Sequence, residues 1–366
     1  MKRDKTRRRD INAAERMREM LEKRHVSQVG ASGWVHTPEV DRKSAEEFSA
    51  RIIELTDYNR WDFIKIMPNG VYNQEAYGSD IEYLSENIPL ENLHTKQIMK
   101  FNRYLIQNEK DMETFPVINV AENPVYQREI AVVRKLREHY QGTVPIIPTI
   151  FLPAHTIPEF CGGIEKARYY LDHHPDAVEK MLEAFVQTEL QLVDAYIEAG
   201  ADGFFFATRY SNGDILSEEE FERFCRPFDE QLLARAKGRT WFNMVHVHGV
   251  KNLYMEKFDS YDVQAISWEN TPGTVPEEER FTVKKVREIT DKILITGTDQ
   301  FTDYYGTKEE VRERFRKRLE TAAGESGDNR FIFAPGCSLP LDIDLEHVHL
   351  LREVVDEYNE KLWPGD

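Results

Sequence analysis

Cysteine is scarce: the 366 residues include three, Cys161, Cys225 and Cys337. Three thiols cannot build a disulfide framework, which excludes the stapled secreted scaffolds and makes the cytoplasm the expected compartment. Positive charge is short as well. Lys and Arg number 48 against 65 Asp and Glu, a formal net charge of −17. That deficit argues against nucleic acid or an anionic membrane as partner, because phosphate recognition needs a basic footprint. No apolar run is long enough to span a bilayer. The basic start (Lys2, Arg3, Lys5, Arg7, Arg8, Arg9) is not followed by the apolar stretch of a signal peptide. Asn12–Arg24 instead shows a charged, methionine-spotted helical pattern, expected to be solvated. No Gly-x-Gly-x-x-Gly follows the first strand and no Walker-type lysine loop occurs, which removes the main cues for dinucleotide and NTP binding.

What is present is alternation. Short apolar runs predict strands at Asp62–Pro68, Phe115–Val120, Val144–Leu152, Asp202–Ala207, Thr240–Val247, Val263–Trp268, Ile293–Thr298 and Arg330–Ala334. Helical patterns separate them, among them Asp176–Ala199, Glu218–Ala236 and Lys308–Ala323. In the first of these, Val178, Met181, Leu182, Phe185, Val186, Leu190, Val193 and Ile197 form one stripe at three- and four-residue spacing. Pro175 precedes it and Gly200 follows it, as helix starts and stops require. Strands alternating with amphipathic helices predict βαβ units and a parallel sheet, and roughly eight units favour a closed (β/α)8 TIM barrel. The expected organisation is an N-terminal helical extension over residues 1–24 and a single barrel domain over 25–366.

A barrel does its chemistry at the carboxyl ends of its strands. His246 and His248 lie two apart on the fifth predicted strand, so both imidazoles project from one face. Gly249 then lets the chain turn away. Cys337 follows the eighth strand, which faces the fifth across the barrel mouth. Two imidazoles and one thiolate form a three-ligand set that suits catalytic zinc and leaves a fourth position open. The plainer account of each part is structural: a strand His-x-His satisfied by backbone, and a lone cysteine as filler.

Further polar residues stand at or near strand ends. Asp202 and Glu269 are candidate catalytic carboxylates, with Glu269 also a candidate fourth ligand or ligand-orienting group. Asn69, Tyr72 and Asp299 are candidate substrate contacts. His173 and His174 precede a helix, His347 and His349 fall on different faces of one, and Cys161 and Cys225 sit in a loop and a helix; none is expected to act.

Several motifs resemble the uroporphyrinogen decarboxylase superfamily. They are the Pro158-Glu159-Phe160-Cys161-Gly162-Gly163 lead, the long helix opened by His174-Pro175-Asp176, and Glu198-Ala199-Gly200-Ala201-Asp202-Gly203. Ser217-Glu218-Glu219-Glu220-Phe221 with Phe224 and Pro227, Trp61-Asp62-Phe63-Ile64-Lys65-Ile66, and Glu75-Ala76-Tyr77-Gly78 also fit. The resemblance runs from about Asp10 to the C terminus and implies the TIM-barrel fold. In motif it is nearest to the zinc-dependent methylcobamide:thiol (coenzyme M) methyltransferases, which carry a His-x-Cys pair and a downstream cysteine. His246 matches their histidine and Cys337 the downstream cysteine, while His248 stands where they have their first cysteine.

That resemblance implies Zn2+ as metal, a corrinoid carried on a partner protein as methyl donor, and a small-molecule methyl acceptor, a thiol or similar. A homodimer is the oligomeric option. The alternative is a uroporphyrinogen decarboxylase-like carboxy-lyase without metal, which calls for an arginine-lined pocket. The family's arginine-rich substrate-grasping segment is missing, and Trp34-Val35-His36-Thr37-Pro38 occupies its neighbourhood. A third possibility is a non-catalytic partner for a corrinoid protein, which convergent soft ligands disfavour.

Overall fold

The computed structural model of the chain describes residues 11–22, 26, 28–84, 99–210 and 212–362; the basic start lies outside them. Its strands are β1 (Gly30–Ala31), β2 (Ile64–Ile66), β3 (Asp80–Tyr83), β4 (Met99–Arg103), β5 (Ile146–Phe151), β6 (Phe205–Thr208), β7 (Met244–Val247), β8 (Ala265–Trp268), β9 (Ile293–Thr298) and β10 (Phe331–Pro335). Eight of them form one sheet in the order β1-β10-β9-β8-β7-β6-β5-β2, and every pairing in it is parallel. β3 and β4 pair only with each other, antiparallel. The sheet curls into a (β/α)8 TIM barrel whose end strands meet at a seam. There the Asp62 N–H donates to the Ala31 carbonyl at 2.9 Å, and Ser32 Oγ donates to the Phe63 carbonyl at 3.0 Å.

Local sequence explains the helices that coat this barrel. Helix Pro175–Ala199 buries Val178, Met181, Leu182, Phe185, Val186 and Val193 as its spacing requires, and Gly200 closes it in the left-handed region at φ 104°. Gly203, just before β6, sits where an added Cβ would fall 1.7 Å from the Phe242 carbonyl oxygen, so no other residue fits that approach.

One strand expectation fails and one barrel strand was not anticipated, for identifiable reasons. Phe115–Val120 is not a strand. Pro116 has no N–H to give a ladder, and the N–H groups of Ile118 and Val120 donate to side chains, Thr188 Oγ1 and Gln191 Oε1. Its apolar content serves an aromatic cluster instead, with Phe115 stacked on Tyr77 at 4.7 Å and edge-on to Phe160. Conversely β1 is two residues long, one of them glycine, too short to show a period. The spurious strand and the missed one offset each other, so β7 and β10 remain the fifth and eighth strands of the barrel.

Helix Ala13–Glu22 is not solvated on all sides. Met17 and Met20 are fully buried and belong to one apolar cluster with Phe63, Ile147, Phe205, Phe242, Ile293 and Ile332 of the barrel interior. The helix thus plugs one end of the barrel and leaves the other for chemistry. Among the described residues no helix is long and apolar enough to cross a membrane.

The outer layer carries ionisable groups at a cost, Glu189 among them. Glu189 is fully buried, and burial pushes its carboxyl up to about 8, only partly offset by Asn73. A folded-state pKa above the unfolded one means that the folded chain keeps a proton that the unfolded chain has lost, so stability falls as pH rises from about 4.5 to about 8. Gln mimics the protonated form. Glu189→Gln is therefore expected to leave stability unchanged at pH 5 and to raise it by about 1–3 kcal/mol at pH 9, read from urea unfolding midpoints.

Candidate active site

The site is assembled from strand ends. In register across the sheet, Phe151 of β5 lies beside Ala207 of β6, Ala207 beside His246 of β7, and His246 beside Ser267 of β8. His246 is 5% exposed. Its ring stacks on Phe205 at 5.3 Å, and its Nδ1 lies 3.3 Å from Ser267 Oγ, which leaves Nε2 as the second ring nitrogen. Burial first, then His248, Lys65 and His155, hold its pKa well below the usual 6.5, so the ring is neutral. His248 comes just past the end of β7. Gly249 follows at φ 126°, where a Cβ would lie 2.8 Å from Asn212 Nδ2, so the chain can leave the mouth only with glycine there.

A cavity of about 240 Å3 opens over these residues. His246, His248 and Cys337 all line it, as the sequence spacing predicts, and Lys65, His36, His155, Glu159 and Arg209 line it too. Cys337 follows β10 by two residues. Burial pushes its thiol up to about 11 and Glu269 adds to the rise, against opposing pulls from Ser338 and Lys65. Glu269 follows β8, accepts from Gln300 Nε2 at 2.7 Å, and lies so close to Gly336 that a Cβ there would meet its Cα at 2.9 Å. It therefore stands beside the Cys337 loop.

Four other sequence candidates fall elsewhere. Asp202 precedes β6 and so belongs to the end opposite the mouth. It receives Trp241 Nε1 at 2.8 Å and the Ile146 N–H at 2.9 Å, and pairs with Arg137 at 2.5 Å. Its work is to tie strand starts together, which corrects the catalytic expectation. Asn69 Oδ1 accepts from the Val71 N–H at 3.0 Å and Nδ2 donates to Glu75 at 2.9 Å, so the side chain organises the turn after β2. Tyr72 is fully buried behind Phe151 and Tyr126 and donates to the Thr149 carbonyl. Asp299 accepts from the N–H groups of Gly273 and Phe301 at 2.7 and 2.8 Å and fixes the loop after β9. None of these four lines the cavity.

The sequence reading missed five lining residues. His155 stacks on Phe151 at 4.6 Å, and its Nδ1 is buried with no hydrogen-bond partner. Burial, then Arg209 and His248, lower its pKa far below 6.5. Arg209 and Glu159 form an ion pair in a wall shared with an outer hollow of about 450 Å3 that Phe101, Tyr104 and Pro158 also line. Glu159 Oε2 is also buried without a partner. His155, His36 and Arg209 all follow barrel strands (β5, β1 and β6), so the strand-end rule could have found them.

The donor set suits zinc in its chemistry. Two imidazoles on one tetrahedral zinc would hold their ring centres roughly 5 Å apart, given Zn–N bonds of about 2.0–2.1 Å. The His246 and His248 centres are 6.0 Å apart and the rings nearly perpendicular. In this conformation no three His, Cys, Asp or Glu side chains among the described residues are gathered closely enough to hold a metal ion. His248 and Cys337 both lie in loops beyond their strands.

Comparison with known proteins places the fold in a family. The family model described as uroporphyrinogen decarboxylase (URO-D) matches residues 74–358. A curated relative, the methylcobamide:CoM methyltransferase MtaA of Methanosarcina barkeri (strain Fusaro), is 24% identical over 228 residues, 62% of this chain and 62% of the relative. The chain thus aligns with about 62% of the length of the curated relatives it matches. Among solved structures, a methyltransferase from Methanosarcina mazei superposes with TM-score 0.73 at 18% identity, covering 95% of this chain and 99% of that one. A putative vitamin-B12 independent methionine synthase from Listeria monocytogenes gives TM-score 0.53 at 14% identity, over 92% and 97%. At these identities the structural likeness shows the fold.

Proposed function

The chain belongs to the uroporphyrinogen decarboxylase family, and from that premise we propose that it is a methyltransferase that moves a methyl group between a corrinoid protein and a small thiol or similar acceptor, with zinc held by His246, His248 and Cys337. The observation that carries this reading is one cavity walled by two imidazoles from β7 and its loop and by a sulfur from beyond β10. The methyltransferase named among the curated relatives supports it.

Zinc bound there supplies a Lewis acid that favours the deprotonated form of a thiol at neutral pH. The chain's own residues do the rest. Ser267 and the Phe205 ring fix the plane of His246. Trp34, Phe151 and Phe205 dry the walls, which strengthens every polar contact inside. His155 offers its unpartnered Nδ1 to the acceptor, and Glu269 sets the charge beside Cys337. A methylated corrinoid presented by a partner would supply the methyl group and its leaving group, while these residues would hold the acceptor sulfur in line with it.

Decarboxylation of a polycarboxylate tetrapyrrole fits the cavity poorly. About 240 Å3 is small for such a molecule, and the one arginine among the lining residues, Arg209, is already paired with Glu159. The test is a methyl-transfer assay of zinc-supplied protein with methylcobalamin and 2-mercaptoethanol. Thiol-dependent loss of the methylcobalamin spectrum and a thioether product are expected, abolished by a chelator and restored by zinc. Full activity in chelator-stripped protein would remove the metal from the scheme; no transfer by folded, zinc-loaded protein would remove the reaction.

A further inference from the structure

A second cavity, of about 350 Å3, opens between the segment after β8 and the helix Lys308–Ser326, and it shares no lining residue with the one at the mouth. Helical spacing builds one wall of it. Arg314, Lys317, Arg318, Thr321 and Glu325 recur at three- and four-residue intervals, beside the stripe of Val311, Phe315, Leu319 and Ala322 that the helix buries. Asn270, Thr271 and Arg280 come from the segment after β8. Four cations (Arg280, Arg314, Lys317 and Arg318) and two carboxylates (Glu277 and Glu325) line the cavity, the reverse of the balance in the whole chain, 48 basic against 65 acidic. Glu325 is already engaged by the Lys284 N–H at 3.0 Å.

The protein's own acceptors fix these cations without neutralising them. Arg280 gives Nε to the Val275 carbonyl at 2.8 Å. Arg314 gives Nη1 to the carbonyls of Thr302, Asp303 and Tyr305 at 3.0, 2.8 and 3.1 Å. Each uses one nitrogen, and neither makes an ion pair among the described residues. Arg318 is held on buried Asp303 at 3.0 and 3.3 Å. Lys317 meets Glu313 only at the surface, at 3.6 Å, a contact worth little. Like charges three and four residues apart on a helix repel, so stapling of loops does not account for the grouping. The Thr271 hydroxyl is moreover buried with no hydrogen-bond partner.

We propose that this flank cavity is a binding site for a small phosphate monoester, an effector site separate from the mouth. Guanidinium forks match phosphate edges, and donors arriving from both the helix and the segment after β8 suit a tetrahedral anion with three terminal oxygens. About 350 Å3 is roughly ten times the share of one water molecule, which leaves room for an organic group beside the phosphate. The site does not depend on the methyltransferase reading.

Calorimetric titration of the full chain with ribose 5-phosphate, inorganic phosphate and ribose tests it. Ribose 5-phosphate is expected to bind about tenfold tighter than phosphate, and ribose not to bind. Arg280→Gln is expected to weaken ribose 5-phosphate about tenfold or more and Lys317→Gln severalfold. Arg314 is left in place because it also holds the loop after β9. Lys317→Gln, altered at an exposed position, is expected to melt with the wild type, so its effect reads binding alone. Inorganic phosphate binding as tightly as the ester, and lost in both variants, supports the phosphate receptor and overturns the ester. Absence of binding to folded wild type overturns the site, and so does binding that survives both substitutions; either leaves the arginines as loop staples.

Discussion

Protein purified with zinc present is expected to hold about one zinc per chain, and Cys337→Ser and His246→Ala are each expected to lose it, with methyl transfer falling more than about a hundredfold. Removing only a group that orients a metal-bound imidazole costs about 10–100-fold in affinity, so a direct ligand must cost more. The site offers that comparison internally. Ser267 touches His246 Nδ1 at 3.3 Å and is itself fully buried, so Ser267→Ala should fall between wild type and the ligand variants. The Cys337 substitution is the cleaner of the two, because serine replaces sulfur by oxygen with little change of shape, whereas His246→Ala also leaves a hole beside Phe205. Circular dichroism separates metal loss from unfolding. Metal analysis finding zinc undiminished in folded Cys337→Ser would take Cys337 out of the site, and folded wild type that refuses zinc would take the metal out altogether.

The three lining donors were legible because strand geometry is simple. A period of two puts His246 and His248 on one face, and a residue just past the last strand must stand at the barrel mouth. The same rule, applied with chain direction in mind, would have rejected Asp202, which precedes β6 and is tied to Arg137 at the strand starts. Asn69, Tyr72 and Asp299 do follow strands, yet their side chains turn into loop hydrogen bonds or packing. Position along the chain does not reveal which way a loop side chain turns. Lys65 escaped for the opposite reason. Within Ile64-Lys65-Ile66 the apolar neighbours mark a strand, and only the folded barrel shows that the lysine's face is the one turned toward the cavity. β1 escaped because two residues carry no period at all.

Asp62→Asn is expected to destabilise the chain by about 3–5 kcal/mol at pH 7, because it breaks the buried ion pair that closes the barrel. Asp62 is fully buried. Its Oδ2 accepts from the Ala31 N–H at 2.7 Å and from Arg352 Nη2 at 2.6 Å, and its Oδ1 accepts from Arg16 Nε at 2.8 Å. One carboxylate thereby ties β1, the turn before β2, the N-terminal helix and the C-terminal helix Leu345–Leu362 together at the seam. Burial alone would push this carboxyl up, but Arg352, then Arg16 and the Ala31 N–H, outweigh it and hold the pKa below the usual carboxylate range. With the folded pKa depressed, the stabilisation is present above the unfolded value of about 3.8 and is lost as pH falls through the folded one. The gap between wild type and Asp62→Asn should therefore narrow in acid. Asparagine keeps the shape but leaves the Arg352 guanidinium, 5% exposed, with only the more exposed Asp356, 3.3 Å from its Nη1, as counter-charge. The double variant Asp62→Asn, Arg352→Met should for that reason recover part of the loss. Urea unfolding of the three chains reads this directly, and a single-variant loss under about 1 kcal/mol would mean that the pair contributes no more than a surface contact.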